Sequence, residues 1–180
     1  MAEKEKPSLN AKLRRTRLFL CDVDGVMTDG AVFIGGAREI KRFDIRDGFG
    51  LVLLRRAGLK TGWISSRPSP VTRLRARELK IDFLVQQDVG KSKVAAVEKL
   101  LERTRRRWDE VCYAGDDVMD LGVLRRAGVA VAVGNGIREV KAAAHYVTRA
   151  PGGHGAIREV AEMILKAQGK WKPIVAHYQE

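Results

Sequence analysis

Two acidic clusters stand where apolar runs end. Leu18-Phe19-Leu20-Cys21 passes into Asp22-Val23-Asp24-Gly25, and Val111-Cys112-Tyr113-Ala114-Gly115 passes into Asp116-Asp117-Val118-Met119-Asp120. A short unbroken apolar run reads as a strand buried on both faces of a parallel sheet. Ligands of open α/β sheets bind beyond the carboxyl ends of such strands. Residues two apart on an extended chain project to one side, so Asp22 and Asp24 are expected to converge. Carboxylates held that close repel unless a cation or a shared proton lies between them. Either cluster alone would also suit a capped helix start. Two of them, each directly after a buried strand, point to a metal-dependent site. The donors on offer are oxygens, which suits Mg²⁺. His145, His154 and His177 are not grouped with the acids, and Cys21 and Cys112 lie inside predicted strands as small buried hydrophobes. Zinc and a disulfide are therefore not expected.

Two further strand ends carry polar groups, Ser65-Ser66-Arg67 and the turn Gly90-Lys91-Ser92-Lys93. Phosphoryl transfer needs a nucleophile, a hydroxyl or amide donor, a cation and usually Mg²⁺, and all four parts are available. An aspartate can attack phosphorus and divide hydrolysis into two easier steps. Neither GxxxxGK[ST] nor GxGxxG occurs, which argues against a nucleotide-driven kinase or a dehydrogenase.

The elements that must position these groups alternate. Strands are predicted over residues 18–23, 61–64, 83–85, 111–114, 129–133 and 146–147. Helices are predicted over 47–57, 70–79, 91–107, 117–126, 137–143 and 156–167. Residues 31–34 and 38–43 flank Gly35-Gly36 as a β-hairpin. The alternation implies an α/β fold, a doubly wound, mostly parallel Rossmann-like sheet with a small hairpin insertion and no large cap domain. Residues 1–16 read as a polar, frayed extension, 17–171 as one domain with the hairpin at about 31–43, and 172–180 as a tail.

The chain of 180 residues suits one domain with a real core. It holds 34 Lys and Arg against 22 Asp and Glu, a net charge of +12, which favours acidic partners. The basic residues are dispersed, with local runs at 12–17 and 103–107, and no aromatic-interleaved basic motif is present. Most of this charge reads as solvated surface, and nucleic-acid binding is the weaker reading. No apolar run approaches the ~20 residues of a membrane span, and residues 1–6 lack the apolar core of a secretory leader. A cytoplasmic protein is expected.

With these residues in view, the chain resembles the haloacid dehalogenase phosphatases. The pattern DxDG(V/T)xTDG follows the first strand, a Ser/Thr the second, a Lys comes later, and GDDxxD follows the fourth. Thr28-Asp29-Gly30, the Gly-Gly hairpin, Phe43-Asp44-Ile45-Arg46-Asp47-Gly48-Phe49-Gly50 and Ala150-Pro151-Gly152-Gly153-His154-Gly155-Ala156-Ile157-Arg158-Glu159-Val160 are similar to one capless branch, the phosphatases of 3-deoxy-D-manno-octulosonate (KDO) 8-phosphate. The likeness covers about residues 17–171.

The resemblance implies roles. Asp22 forms an aspartyl-phosphate, and Asp24 protonates the leaving sugar oxygen and then deprotonates water. Ser65 donates to a phosphoryl oxygen, and Lys93 neutralises the phosphate and Asp22. Lys91 is the alternative lysine, because the run leaves the register open. Asp22, the Asp24 backbone carbonyl and Asp116 hold Mg²⁺, with Asp117 and Asp120 supporting the loop. Arg46, Ser66, Arg67, Gly152, Gly153 and His154 are candidate substrate binders. The Gly-rich segment and the hairpin reach a neighbour's site in a homotetramer, which would bury Phe33, Ile34 and Phe43. Two departures stand out. The family usually has Thr-Gly-Arg where Ser65-Ser66-Arg67 stands, losing glycine's backbone freedom at Ser66, and Arg where His154 stands. The implied reaction is Mg²⁺-dependent hydrolysis of KDO 8-phosphate, a small acidic sugar phosphate of lipopolysaccharide sugar synthesis. A nonulosonate 9-phosphate or broad sugar phosphatase is the alternative, and a non-catalytic nucleic-acid binder the remote one.

Overall fold

A computed structural model of the chain describes residues 7–36 and 38–179. The six apolar segments pair as one parallel sheet: β1 (Leu18–Cys21), β4 (Lys60–Ser65), β5 (Phe83–Gln86), β6 (Val111–Gly115), β7 (Val129–Ala132) and β8 (Tyr146–Val147). Their order is β5-β4-β1-β6-β7-β8. The chain first winds outward from β1 through β4 to β5, then restarts at β6 on the other side of β1. The reversal opens a crevice beyond the carboxyl ends of β1 and β6, which is where such sheets bind ligands. Both acidic clusters leave the sheet there. The hairpin β2 (Phe33–Gly35) and β3 (Arg38–Ile40) is antiparallel and separate from the sheet.

The central strands are uniformly apolar because both faces are covered. Phe19 and Cys21 of β1 and Cys112 and Ala114 of β6 meet helices α1 (Leu9–Arg15), α2 (Ile45–Arg56) and α7 (Ala156–Ala167) through Leu13, Leu51, Leu54, Ile157, Val160 and Ile164. Leu18, Leu20, Val111 and Tyr113 face the other way, against α4 (Lys93–Thr104), α5 (Leu121–Leu124) and α6 (Arg138–Ala143) through Val97, Leu100, Val123, Leu124 and Val140. Cys21 and Cys112 are free and buried. Helix α3 (Pro70–Glu78) starts with Pro70 at its first turn and the Ser69 hydroxyl accepting from the Thr72 amide, a favoured combination for a helix start.

The structure departs from the sequence expectation in several places. Residues 9–15, assigned to a frayed extension, form α1, capped by Ser8 and anchored by buried Leu13. A final helix, α8 (Trp171–His177), occupies most of the expected tail. The expected helix 91–107 stops at Thr104, because Arg105 adopts a left-handed conformation (φ 53°), so only Arg103 of that basic run lies in its last turn. The expected helix 117–126 opens as a 3₁₀ turn, Val118–Asp120, before the short α5. Residues 1–6 and 180 lie outside the described residues. Among the described residues no helix is long and apolar enough to cross a membrane.

Candidate active site

The chain leaves β1 at Cys21, so Asp22 sits at the strand's lip and Asp24 in the turn beyond it. Thr28 knits that turn: its hydroxyl accepts from the amides of Gly25 and Gly30 at 3.3 and 3.2 Å. Gly25 has φ +86°, and a Cβ there would lie 2.0 Å from Asp116 Oδ2. The second acidic cluster therefore packs directly on the first turn, and only glycine permits the approach.

Asp22 is buried. Its Oδ1 accepts from the Val23 amide at 2.6 Å, and its Oδ2 lies 2.6 Å from Lys93 Nζ. The same ammonium is 2.8 Å from Asp120 Oδ1. Asp120 is fully committed: Oδ1 also accepts from the Tyr113 hydroxyl at 2.6 Å, and Oδ2 accepts from the amides of Asp116 and Asp117 at 2.9 and 3.3 Å. Burial pushes the Asp22 carboxyl up to about 6, with Asp120 adding to the rise and Lys93 opposing it. Burial pushes Asp116 up to about 7, with Asp22 and then Asp120 adding to it.

Asp22, Asp116 and Asp120 each offer a carboxylate oxygen within 4.8 Å of the others. Asp120 is spent on donors already present, but Asp116 Oδ1 is buried without a hydrogen-bond partner. Carboxylates driven upward by burial, with one orphaned oxygen, fit a hard divalent cation such as Mg²⁺ held by Asp22 and Asp116. Asp22 and Asp24 line the same cavity, and the Asp24 carboxylate has a cation of the protein's own beside it: Oδ1 lies 2.6 Å from Lys41 Nζ.

The raised carboxyls predict a linked pH dependence. A carboxyl whose folded pKa is raised contributes stability below its unfolded value and loses it as pH climbs through the folded value. The metal-free chain should therefore lose stability between about pH 4 and 7 from Asp22 and Asp116. Mg²⁺ binds the ionised forms, so its stabilising effect should grow over the same window. At a hundredfold excess over Kd we expect about 2.7 kcal/mol at pH 8, roughly 5 °C or more in Tm, and clearly less at pH 5. Calorimetry with and without Mg²⁺ at both pH values checks this; equal gains at both, or none, would contradict the assignment.

A cavity of about 320 Å³ opens on these groups, lined by Asp22, Asp24, Ser65, Ser66, Arg67 and Asp116 among others. That is the lower end of the range for small-molecule sites. The Ser65 hydroxyl is tied into its own turn, accepting from the Arg67 amide at 3.1 Å and donating to the Arg67 carbonyl at 3.0 Å. Ser66 is not among the residues with positive φ, so the loss of glycine at this position brings no left-handed strain. Its hydroxyl is buried without a partner at the cavity wall. Lys91 pairs with Asp88 at 3.1 Å on the surface, whereas Lys93 is inside. Asp117 also lines the cavity, its Oδ1 accepting from the Val118 amide at 2.6 Å.

The remaining candidates lie elsewhere. A Cβ on Gly152 would meet the Gly25 carbonyl at 1.8 Å and one on Gly153 the Thr28 carbonyl carbon at 2.4 Å. These glycines thus pack behind the first loop of their own subunit instead of facing the cavity. Asp47 secures that segment from α2, accepting from the amides of Gly155 and Arg158 at 3.1 and 2.8 Å. Exposed His154 takes a bond from Arg42 Nη2 at 2.7 Å. Arg46 pairs with Asp44 at 2.8 Å and reaches the His154 carbonyl at 3.3 Å. Within one subunit none of Arg46, Gly152, Gly153 and His154 lines the cavity. Phe33 and Ile34 are 62% and 77% exposed. Phe43, grouped with them in the sequence reading, instead packs on its own core, stacked on Trp63 at 6.1 Å.

Two groups in this region escaped the sequence reading. Tyr113 sits in an apolar strand, where a buried phenol needs a partner, and that rule could have singled it out. Lys41 follows the hairpin, and nothing in its local sequence marks it as buried.

Residues 81–159 match a family model described as haloacid dehalogenase-like hydrolase. The 3-deoxy-D-manno-octulosonate 8-phosphate phosphatase of Yersinia pestis is 40% identical over 156 residues, 86% of this chain and 82% of that one. The protein of the same name from Escherichia coli K12 is 38% identical over 162 residues, 89% and 85% of the two chains. Among solved structures, the Moraxella catarrhalis phosphatase of that name, in complex with magnesium ion, phosphate ion and KDO, superposes with a TM-score of 0.90 at 35% identity. That match covers 94% of this chain and 97% of the other.

Proposed function

The chain belongs to the haloacid dehalogenase-like hydrolases, and from that membership we propose that it is the Mg²⁺-dependent phosphatase that converts KDO 8-phosphate into KDO and phosphate, a step of lipopolysaccharide sugar biosynthesis. The observation that carries the reading is the buried Lys93 ammonium held between Asp22 and Asp120, behind a cavity that Asp22 and Asp116 line in the crevice between β1 and β6. Identities of 36–40% to phosphatases of this substrate, over at least 82% of their length, support the substrate.

In this reading residues 17–171 are the catalytic domain. Asp22 attacks phosphorus; the bond from phosphorus to the sugar oxygen breaks as the aspartyl–phosphate bond forms. Asp24 gives its proton to the departing alkoxide. Asp24 then takes a proton from water, the water oxygen bonds to phosphorus, and the aspartyl bond breaks to release phosphate and restore Asp22. Lys93 holds Asp22 in place and offsets charge on the phosphoryl group. Ser65 donates its hydroxyl to a phosphoryl oxygen, which requires it to turn from the Arg67 carbonyl. Ser66 and Arg67 face the sugar acid. Asp22, Asp116 and the Asp24 backbone carbonyl would hold Mg²⁺, which would supply positive charge to the phosphoryl oxygens.

Four copies would assemble in the cytoplasm, with exposed Phe33 and Ile34 of each hairpin against a neighbour. His154 and Arg46, both exposed, would then act on the adjoining subunit's substrate, with the buried Gly152–Gly153 turn holding His154 in place. Phosphate release from KDO 8-phosphate, a nonulosonate 9-phosphate and p-nitrophenyl phosphate, each with and without Mg²⁺, tests the proposal. Mg²⁺-dependent preference for the eight-carbon ester is expected. Preference for the nine-carbon ester would keep the chemistry and replace the substrate. No release from any of them by folded, Mg²⁺-supplied protein would overturn the enzyme.

A further inference from the structure

The hairpin foot inverts the usual pattern of burial. Ile40 is 62% exposed, whereas the Lys41 side chain is 0% exposed. Burying an ammonium is unfavourable before its partners are counted, and an apolar residue would anchor a hairpin at no such cost. The Lys41 partners are specific. Nζ lies 2.6 Å from Asp24 Oδ1 and 3.5 Å from Glu39 Oε1, and donates to the Thr72 hydroxyl at 3.1 Å. Glu39 Oε1 in turn takes a 2.5 Å contact from Arg67 Nη1. One buried ammonium thus joins the hairpin foot, the first turn of α3, a cavity-lining arginine and the carboxylate two residues beyond Asp22.

We propose that Lys41 is the positioning residue for Asp24: it clamps Oδ1 and leaves Oδ2 to exchange the proton with the sugar oxygen and with water. This rests on the acid–base reading of Asp24 given above. Asp24 sits in a turn, not on a strand, and its carboxylate needs an external restraint to keep a productive angle. Lys41 supplies that restraint from a separate segment. Through Glu39 the same segment steadies Arg67, so the proton-transfer group and the substrate-facing guanidinium are set by one foot. Lys41 carries no proton to or from substrate.

The test is a double-mutant cycle of Lys41→Met and Asp24→Asn, with Lys41→Arg as the conservative variant, read as kcat and KM on KDO 8-phosphate. A misaligned proton-transfer group typically loses about a hundredfold. Lys41→Met is expected to lower kcat by about that factor, with KM changed less than about twofold, and Lys41→Arg to recover much of the loss. In the Asp24→Asn background Lys41→Met should add almost nothing, since both act through one group. Unchanged kcat in Lys41→Met, a loss confined to KM, or a full independent loss in the Asp24→Asn background would overturn the assignment. If Lys41→Met fails to fold, Thr72→Val, which removes only the hydroxyl anchor, should give a smaller kcat loss at constant KM; an unchanged kcat there would overturn it equally. Full turnover by Asp24→Asn would instead remove the acid–base reading itself, so the two failures are distinguishable.

Discussion

Asp22→Asn is expected to reduce phosphate release by at least about a thousandfold, the scale seen when a covalent nucleophile is removed, without loss of the fold. The amide keeps the size of the carboxylate, and with its single oxygen turned to Lys93 it gives up only the bond from the Val23 amide. What it loses is the charge that burial already disfavours: the Asp22 carboxyl is pushed up to about 6. Above that pH the native chain bears the cost of ionising Asp22 in a desolvated place, and the asparagine variant does not. Lys93 is not orphaned, because Asp120 remains 2.8 Å away. The metal-free variant should therefore melt no lower than the parent at pH 8, while its Mg²⁺-dependent gain in Tm shrinks. Phosphate release and calorimetry on one preparation check both halves. Retained turnover would remove Asp22 as nucleophile, and a collapsed Tm would make the carboxylate structural.

The alternation of elements, the positions of both acidic clusters and the tail of the sheet were legible because each rests on a local rule. An apolar run followed by Gly and Asp is visible twice in the sequence, and six apolar runs separated by helical spacing leave little choice but a doubly wound sheet. Helix 156–167 was legible to the residue, since its apolar face is regular and a glycine-rich turn precedes it. The 3₁₀ turn before α5 was not, because the Asp120 carboxylate folds back onto the amides of Asp116 and Asp117, a contact that competes with helix continuation. Helix α1 was missed for a different reason. It contains one buried residue, Leu13, and a single anchor makes no periodic pattern. In the site, the carboxylates that follow strands could be read, but their partners could not. Lys41 arrives from the hairpin and Tyr113 from the middle of an apolar strand, and pairings across the fold leave no trace in spacing. The convergence of Asp22 with Asp116, 94 positions away in the numbering (116 − 22), follows only from strand order.

The choice between Lys93 and Lys91, open in the sequence because Gly90-Lys91-Ser92-Lys93 fits either register, has a large thermodynamic consequence. Lys93 is 1% exposed and lies between two buried carboxylates; although burial acts to lower its pKa, Asp22 and Asp120 outweigh that and hold it above the ordinary lysine value. Truncating one member of a buried ion cluster leaves uncompensated charge, typically at about 3–5 kcal/mol. Lys93→Met is therefore expected to lower the stability of the metal-free chain by about that amount at pH 8. At pH 5 the loss should be smaller, because Asp22, already raised and now without its ammonium, takes up a proton and discards its charge. Lys91 pairs with Asp88 in solvent, its side chain 65% exposed, and such pairs contribute little. Lys91→Met should shift stability by less than about 0.5 kcal/mol at either pH. Urea midpoints of the two variants at pH 8 and pH 5 make the comparison, with phosphate release alongside. Comparable losses in the two variants, or a Lys93→Met loss that does not shrink at pH 5, would show that the buried ammonium is not what holds the two carboxylates together.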